Sequence, residues 1–136
     1  MTAALPPAAP AIGEALRARA QAQAQAIASD LTGVRAVVIA TADGFDIASA
    51  TFADVDPQRI AALASSMAAI GAVVSAEAGL GRSNSVTVGT DAGFAVVHAC
   101  SHEGVALVIS VLAGPDALLG QVNYRVAAGA RALTAA

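Results

Sequence analysis

Residues 32–50 read TGVRAVVIATADGFDIASA, and their pattern sets the architecture. Val34 to Thr41 is apolar on both alternating faces and rich in β-branched residues, as in a strand covered on two sides. Asp43-Gly44 is a tight-turn pair, and in Phe45 to Ala50 the polar Asp46 and Ser49 dilute the pattern as on an outer strand. These residues predict a hairpin with one central and one outer strand.

On the N-terminal side, Glu14 to Leu31 favours helix, with Leu16, Ala20, Ile27 and Leu31 at helical spacing and Gly33 as a stop. So thin a stripe suits a helix lying over a larger layer. Residues 1–12 are mostly Ala and Pro and read as a flexible tail, which leaves 13–136 as a single domain. On the C-terminal side, Thr51 to Val55 is a loop, and Asp56-Pro57 supplies an N-cap followed by Pro at the first helical position.

The helix opened there, Pro57 to Ala78, gathers Ile60, Leu63, Met67, Ile70 and Val74 on one side, which is expected to cover the sheet. The other side carries Ala61, Ser65, Ala69, Ala72 and Ala76, where a solvated face would carry charges. Small residues admit another backbone, so this side is expected to meet a partner. The competing explanation is a solvated face made Ala-rich by the composition of the whole chain. Beyond Gly79 and Gly81, Asn84 to Gly89 and Gly93 to Cys100 form a second hairpin. A turn at Ser101 to Glu103 leads to Val105 to Leu112, a second central strand. Gly114-Pro115-Asp116 opens a last helix with Leu119, Val122, Val126 and Leu133 in its stripe and Arg125 and Arg131 toward its C-terminal end. The order is α-β-β-α-β-β-β-α, and the short links predict a largely antiparallel sheet with helices packed on it.

A chain of 136 residues with 57% hydrophobic, 12% charged and 3% aromatic residues is a single folded domain built on aliphatic side chains. Its cations are all arginine, so a Walker-type phosphate loop, a Schiff-base enzyme and a kinase are excluded for want of lysine. A net charge of -3 offers no field to a polyanion, and no nucleic-acid partner is expected. Cys100 is the only cysteine, which excludes an intrachain disulfide and a cysteine zinc cluster and fits a reducing cytoplasm. No export signal is read at the N-terminus. The uncharged run Ile60 to Ala76 is short for a bilayer and contains Ser65, Ser66 and Ser75, so no membrane span is expected.

Little of the inventory carries chemistry. His98 and Cys100 share a strand face with His102 and Glu103 in the following turn, a pattern explained by a buried thiol, a strand histidine and a polar turn. Asp43, Asp46, Asp56, Asp91 and Asp116 sit at turns or helix starts, where each has a local backbone role. Gly79, Gly81 and Gly89 do not lead from a strand into a helix, so they form no dinucleotide loop. No catalytic, cofactor-binding or metal-binding residue is assigned. Arg59 and Arg82 border the small-residue helix, where either would suit a carboxylate or phosphate on a partner, while Arg35 reaches to solvent.

The stretch Thr32-Gly33-Val34-Arg35-Ala36-Val37-Val38-Ile39 leading to Asp43-Gly44-Phe45 resembles the roadblock family, the roadblock-type dynein light chains. The Ala-rich second helix, the glycine-bounded strand pairs and Gly120-Gln121-Val122 in the last helix share that resemblance, which spans about residues 14–133 and is nearest the bacterial MglB-like members. It implies an α+β, profilin-like fold: a five-stranded antiparallel sheet with two helices on one face and one on the other. It further implies a noncatalytic, cytoplasmic homodimer, without cofactor, that docks on a small Ras-like GTPase and modulates its nucleotide cycle. In such dimers the second helices pack together and the third strands pair edge to edge. Carried over by position, docking falls to Gln58, Arg59, Ala62, Ser65, Ser66 and Ala69, and the dimer interface to Ala61, Ala72, Asn84, Ser85, Val86, Thr87 and Val88. The alternatives are a scaffold or adaptor dimer without effect on hydrolysis and a small-molecule sensor near His98 and His102.

Overall fold

A computed structural model describes residues 12–52 and 54–135. The elements are α1 (Glu14–Asp30), β1 (Val34–Thr41), β2 (Asp46–Thr51), α2 (Pro57–Glu77), β3 (Ser85–Thr90), β4 (Gly93–His102), β5 (Val105–Ala113) and α3 (Leu119–Thr134). The five strands form one sheet in the order β2-β1-β5-β4-β3, with every neighbouring pair antiparallel. β2 and β3 are therefore the two edges. The tail expected over residues 1–12 lies outside the described residues except for Ile12, which packs half-buried against the core.

Alternation along the strands divides the apolar residues between two layers. Val37, Ile39, Val96, Leu107, Ile109 and Val111 face α1 and α3, where they bury Leu16, Ala20, Ala24 and Ile27 of the first helix and Val122, Val126 and Leu133 of the last. Val38, Ala40, Val97 and Val108 face α2 on the other side, where Ala61 and Ala64 complete a smaller core and Ile60, Met67 and Ala68 are partly buried. The helices thus lie two on one face and one on the other.

Local chemistry accounts for the start of α2 and the end of α1. The Asp56 side chain accepts a hydrogen bond from the Gln58 N–H at 3.0 Å, and Pro57 follows as the first helical residue. Gly33 turns the chain out of α1 with a φ of +81°, and a Cβ there would meet the Ala117 backbone N at 2.8 Å. The start of α3 departs from expectation: Leu118 is its N-cap residue and no side chain caps it, so Asp116 precedes the helix without opening it. β4 also runs on to His102, which the sequence pattern placed in the turn.

α2 departs more consequentially. Leu63, Ile70 and Val74, expected to cover the sheet, are exposed, whereas Ala61, expected to face a partner, is fully buried on the sheet. The cause is space. Gly71 lies so close to β3 and the residues before it that a Cβ would come within 2.5 Å of Val86 Cγ2 and 2.9 Å of Ser83 Oγ. The Gly71 side of the helix fits that approach, with Ile60 and Met67 packed at the margin of the contact and Leu63, Ile70 and Val74 turned outward.

Candidate interaction surface

α2 and β3 together build the surface that distinguishes the molecule. Leu63, Ile70, Val73 and Val74 form a ridge along the outer side of α2, and each is more than half exposed. Arg59 and Glu77, eighteen residues or about five helical turns apart, stand in line with that ridge at its two ends. Opposite charges at opposite ends make the ridge self-complementary to an antiparallel copy of itself.

β3 is the adjoining edge. The Asn84 carbonyl accepts from the Ala99 N–H at 3.2 Å, so Asn84 turns its backbone groups toward β4. By alternation the outward backbone groups belong to Ser85, Thr87 and Gly89. Among the described residues, no side-chain hydrogen bond covers them. Five of the six β3 residues are exposed, with only Val86 half-buried. Between this strand and the C-terminal half of α2 lies a groove of about 200 Å³ lined by Ala68, Ala72, Arg82, Ser83, Val86 and Val97, among others.

The residues singled out from the sequence are placed unevenly around this surface. Gln58, Arg59, Ala62, Ser66 and Ala69 are exposed on α2. Ser65 is held inward, its hydroxyl donating to the Ala42 carbonyl, and Ala62 and Ser65 pack near Gly44 in the β1–β2 turn. Of the proposed dimer residues, Ala72, Asn84, Ser85, Thr87 and Val88 are exposed and Val86 half-exposed, whereas Ala61 is sealed against the sheet, with no surface left to offer. The residues missed are Leu63, Ile70, Val73 and Val74 as surface. Their signal was in the sequence: α2 is apolar on both sides, and one sheet face covers only one of them.

The remaining chemical groups are engaged within the fold. His98 Nε2 lies 3.1 Å from Asn123 Oδ1 of α3. Cys100 packs on the α1/α3 core, and burial pushes its thiol up to about 11, away from thiolate chemistry at neutral pH. His102 Nε2 and Glu103 are 3.8 Å apart, and among the described residues no three His, Cys, Asp or Glu side chains are grouped to hold a metal. Arg125 pairs with Asp30 at 2.9 Å, tying α3 to the end of α1.

This architecture coincides with a defined sequence family: residues 21–110 match the Roadblock/LC7 domain. The chain belongs to the Roadblock/LC7 family. Among solved structures, this Roadblock/LC7 chain is similar to a Roadblock/LC7 domain from Streptomyces avermitilis, with 20% identity, a TM-score of 0.74, and 83% of this chain and 92% of that one covered. It is similar to MglB of Myxococcus xanthus at 17% identity, with a TM-score of 0.76 and 91% of each chain covered. An MglB with a tetrameric arrangement is similar at 22% identity, with a TM-score of 0.75 and 90% of each chain covered. At these identities the likeness is one of fold. No curated protein matches the sequence.

Proposed function

We propose that this Roadblock/LC7 protein is a noncatalytic, cytoplasmic homodimer that docks on a small Ras-like GTPase and modulates its GTP hydrolysis or nucleotide cycle. The observation that carries the proposal is the exposed ridge of Leu63, Ile70, Val73 and Val74 beside the bare β3 edge. An apolar ridge next to unpaired strand groups is a surface that a protein partner covers. α2 has the length and hydropathy of a membrane span, but its inner side is committed to the sheet through Ala61 and Ala64. That commitment favours a protein partner over lipid.

A two-fold axis reconciles the features. Antiparallel packing of two α2 ridges would bring Arg59 of one copy toward Glu77 of the other, and β3 would pair with its own copy about Thr87, Ser85 opposite Gly89. Gln58, Arg59, Ala62 and Ser66, toward the start of each helix, then border the paired helices and present the docking surface. Similarity in fold to MglB proteins supports this reading.

Light scattering on the purified chain is expected to give twice the monomer mass. Mixing it with small Ras-like GTPases from the same cell, loaded with GDP or a GTP analogue, is expected to give a complex in at least one state and altered GTP turnover. Binding without a change in turnover would select the scaffold alternative. Absence of binding to every GTPase in both states would overturn docking.

A further inference from the structure

We infer that Gln21 and Arg17 of α1 guard the β2 edge against pairing with β2 of a second copy, and so confine self-association to the β3 side. This extends the dimer proposal and is tested separately from it. Ser49 turns its backbone groups away from β1, because Phe52 donates its N–H to the Arg35 carbonyl at 2.8 Å and the partners alternate from there, while Ile47, the extra residue where the register shifts between Ile39 and Ala40, offers its carbonyl to α1. Those outward groups are not free. Gln21 Nε2 donates to the Ser49 carbonyl at 2.9 Å, while the Ser49 N–H donates to Gln21 Oε1 at 3.3 Å. One carboxamide thus supplies the donor and acceptor that a neighbouring strand would supply. Arg17 Nη1 donates to the Ile47 carbonyl at 3.4 Å.

The spacing explains why one helix does both. Residues 17 and 21 are one turn apart, about 6 Å along α1, and the outward carbonyls of Ile47 and Ser49 are two strand residues apart, about 7 Å. Leu16, Ala20 and Ala24, buried beneath, anchor α1 so that it overhangs this edge.

Without the guard, β2 has the makings of a pairing strand. Beyond the register shift at Ile47, residues 48–51 pair regularly with β1 and contain no Pro and no charge, the features that ordinarily blunt an edge. An antiparallel pair centred on Ser49 sets Ser49 against its own copy, N–H to C=O in both directions, and brings the Thr51 N–H toward the Ile47 carbonyl, with the two Asp46 carboxylates apart. Since the β3 side is a separate surface, pairing at β2 adds a copy to whatever assembly the wild type forms.

The test compares the full chain with Gln21→Ala by light scattering over a concentration series, with far-UV circular dichroism confirming the fold. The variant's weight-average mass is expected to rise about twofold above the wild type's and to climb with concentration. Adding Ser49→Pro, which removes an outward N–H and leaves the β1 ladder intact, is expected to restore the wild-type mass. Hydrogen exchange on the wild type alone reads the guard directly: the Ser49 amide is expected to exchange more slowly than the Thr51 amide. Equal exchange at those two amides, or a folded Gln21→Ala with the wild-type mass at every concentration, would overturn the inference. A wild-type monomer would defeat the dimer proposal and leave this comparison in force.

Discussion

β2 and β3 are both six-residue edge strands of one sheet, and the fold finishes them in opposite ways. Along β2, Gln21 occupies both outward groups of Ser49 and Arg17 the carbonyl of Ile47. Along β3, Ser85, Thr87 and Gly89 keep theirs unshared with any described side chain, and the exposed α2 ridge lies alongside. A sheet with two open edges propagates, whereas a sheet with one open edge closes about a two-fold axis and stops. The difference lies in the helices: α1 overhangs the edge it packs against, while α2 lies across the opposite face and leaves its edge bare.

Substitutions on either side can break or sharpen that contrast. The largest effect is expected from Ile70→Glu, which places an unpaired carboxylate in the middle of the ridge. Self-association should weaken by at least about 100-fold, roughly 3 kcal/mol, with the fold intact. Sedimentation equilibrium measures it, and an unchanged dimer would remove the ridge from the interface. Next is Gly71→Ala, which tests the close approach that turned the ridge outward. The added methyl meets Val86 and Ser83, and urea unfolding should show a loss of about 1–3 kcal/mol. Stability equal to wild type would mean that α2 has room to spare.

A smaller effect is expected from Thr87→Pro, which removes an outward N–H of β3 without touching its bonds to β4. Dimerisation should weaken about tenfold, near 1.4 kcal/mol, because one strand-pairing donor is lost. Wild-type affinity would argue that helix packing alone holds the pair. The smallest effect belongs to Cys100, on the α1/α3 face away from both edges. Its thiol pKa is raised from 9.0 to about 11 by burial, so its contribution to stability is full below pH 9 and is lost as pH rises through 11. Stability that stays flat from pH 9 to 11 in the wild type, or falls as steeply in Cys100→Ser, would contradict this. Slow alkylation at neutral pH, equal in the wild type and the edge variants, would confirm that those variants leave this face undisturbed.

Much of the fold was legible from local pattern. The two-sided apolar runs of β1 and β5, the Asp43-Gly44 turn and the Asp56-Pro57 helix start report forces that act within a few residues. The candidate surface was legible only in part. A partner for α2 was expected from its lack of charge, and the alternation of Asn84 to Gly89 marked a strand, which the fold contains as β3 (Ser85–Thr90). The side of α2 that faces outward did not follow, because Leu63 and Ile70 have the same period as a core stripe. Gln21 was equally silent, one Gln among several in an Ala-rich helix, since its role depends on where Ser49 lies across the sheet edge.

What the chain determined by itself is the succession of elements and the alternation within each strand, because a period of two or of 3.6 arises from backbone geometry alone. Tertiary structure decided which side of α2 is inside and which sheet edge is covered. Both are questions of clearance between layers: α2 comes down over Val86 and Ser83 so closely that at position 71 glycine fits without a shift, and α1 sits far enough out for Gln21 to reach Ser49. No periodicity records the distance between two layers.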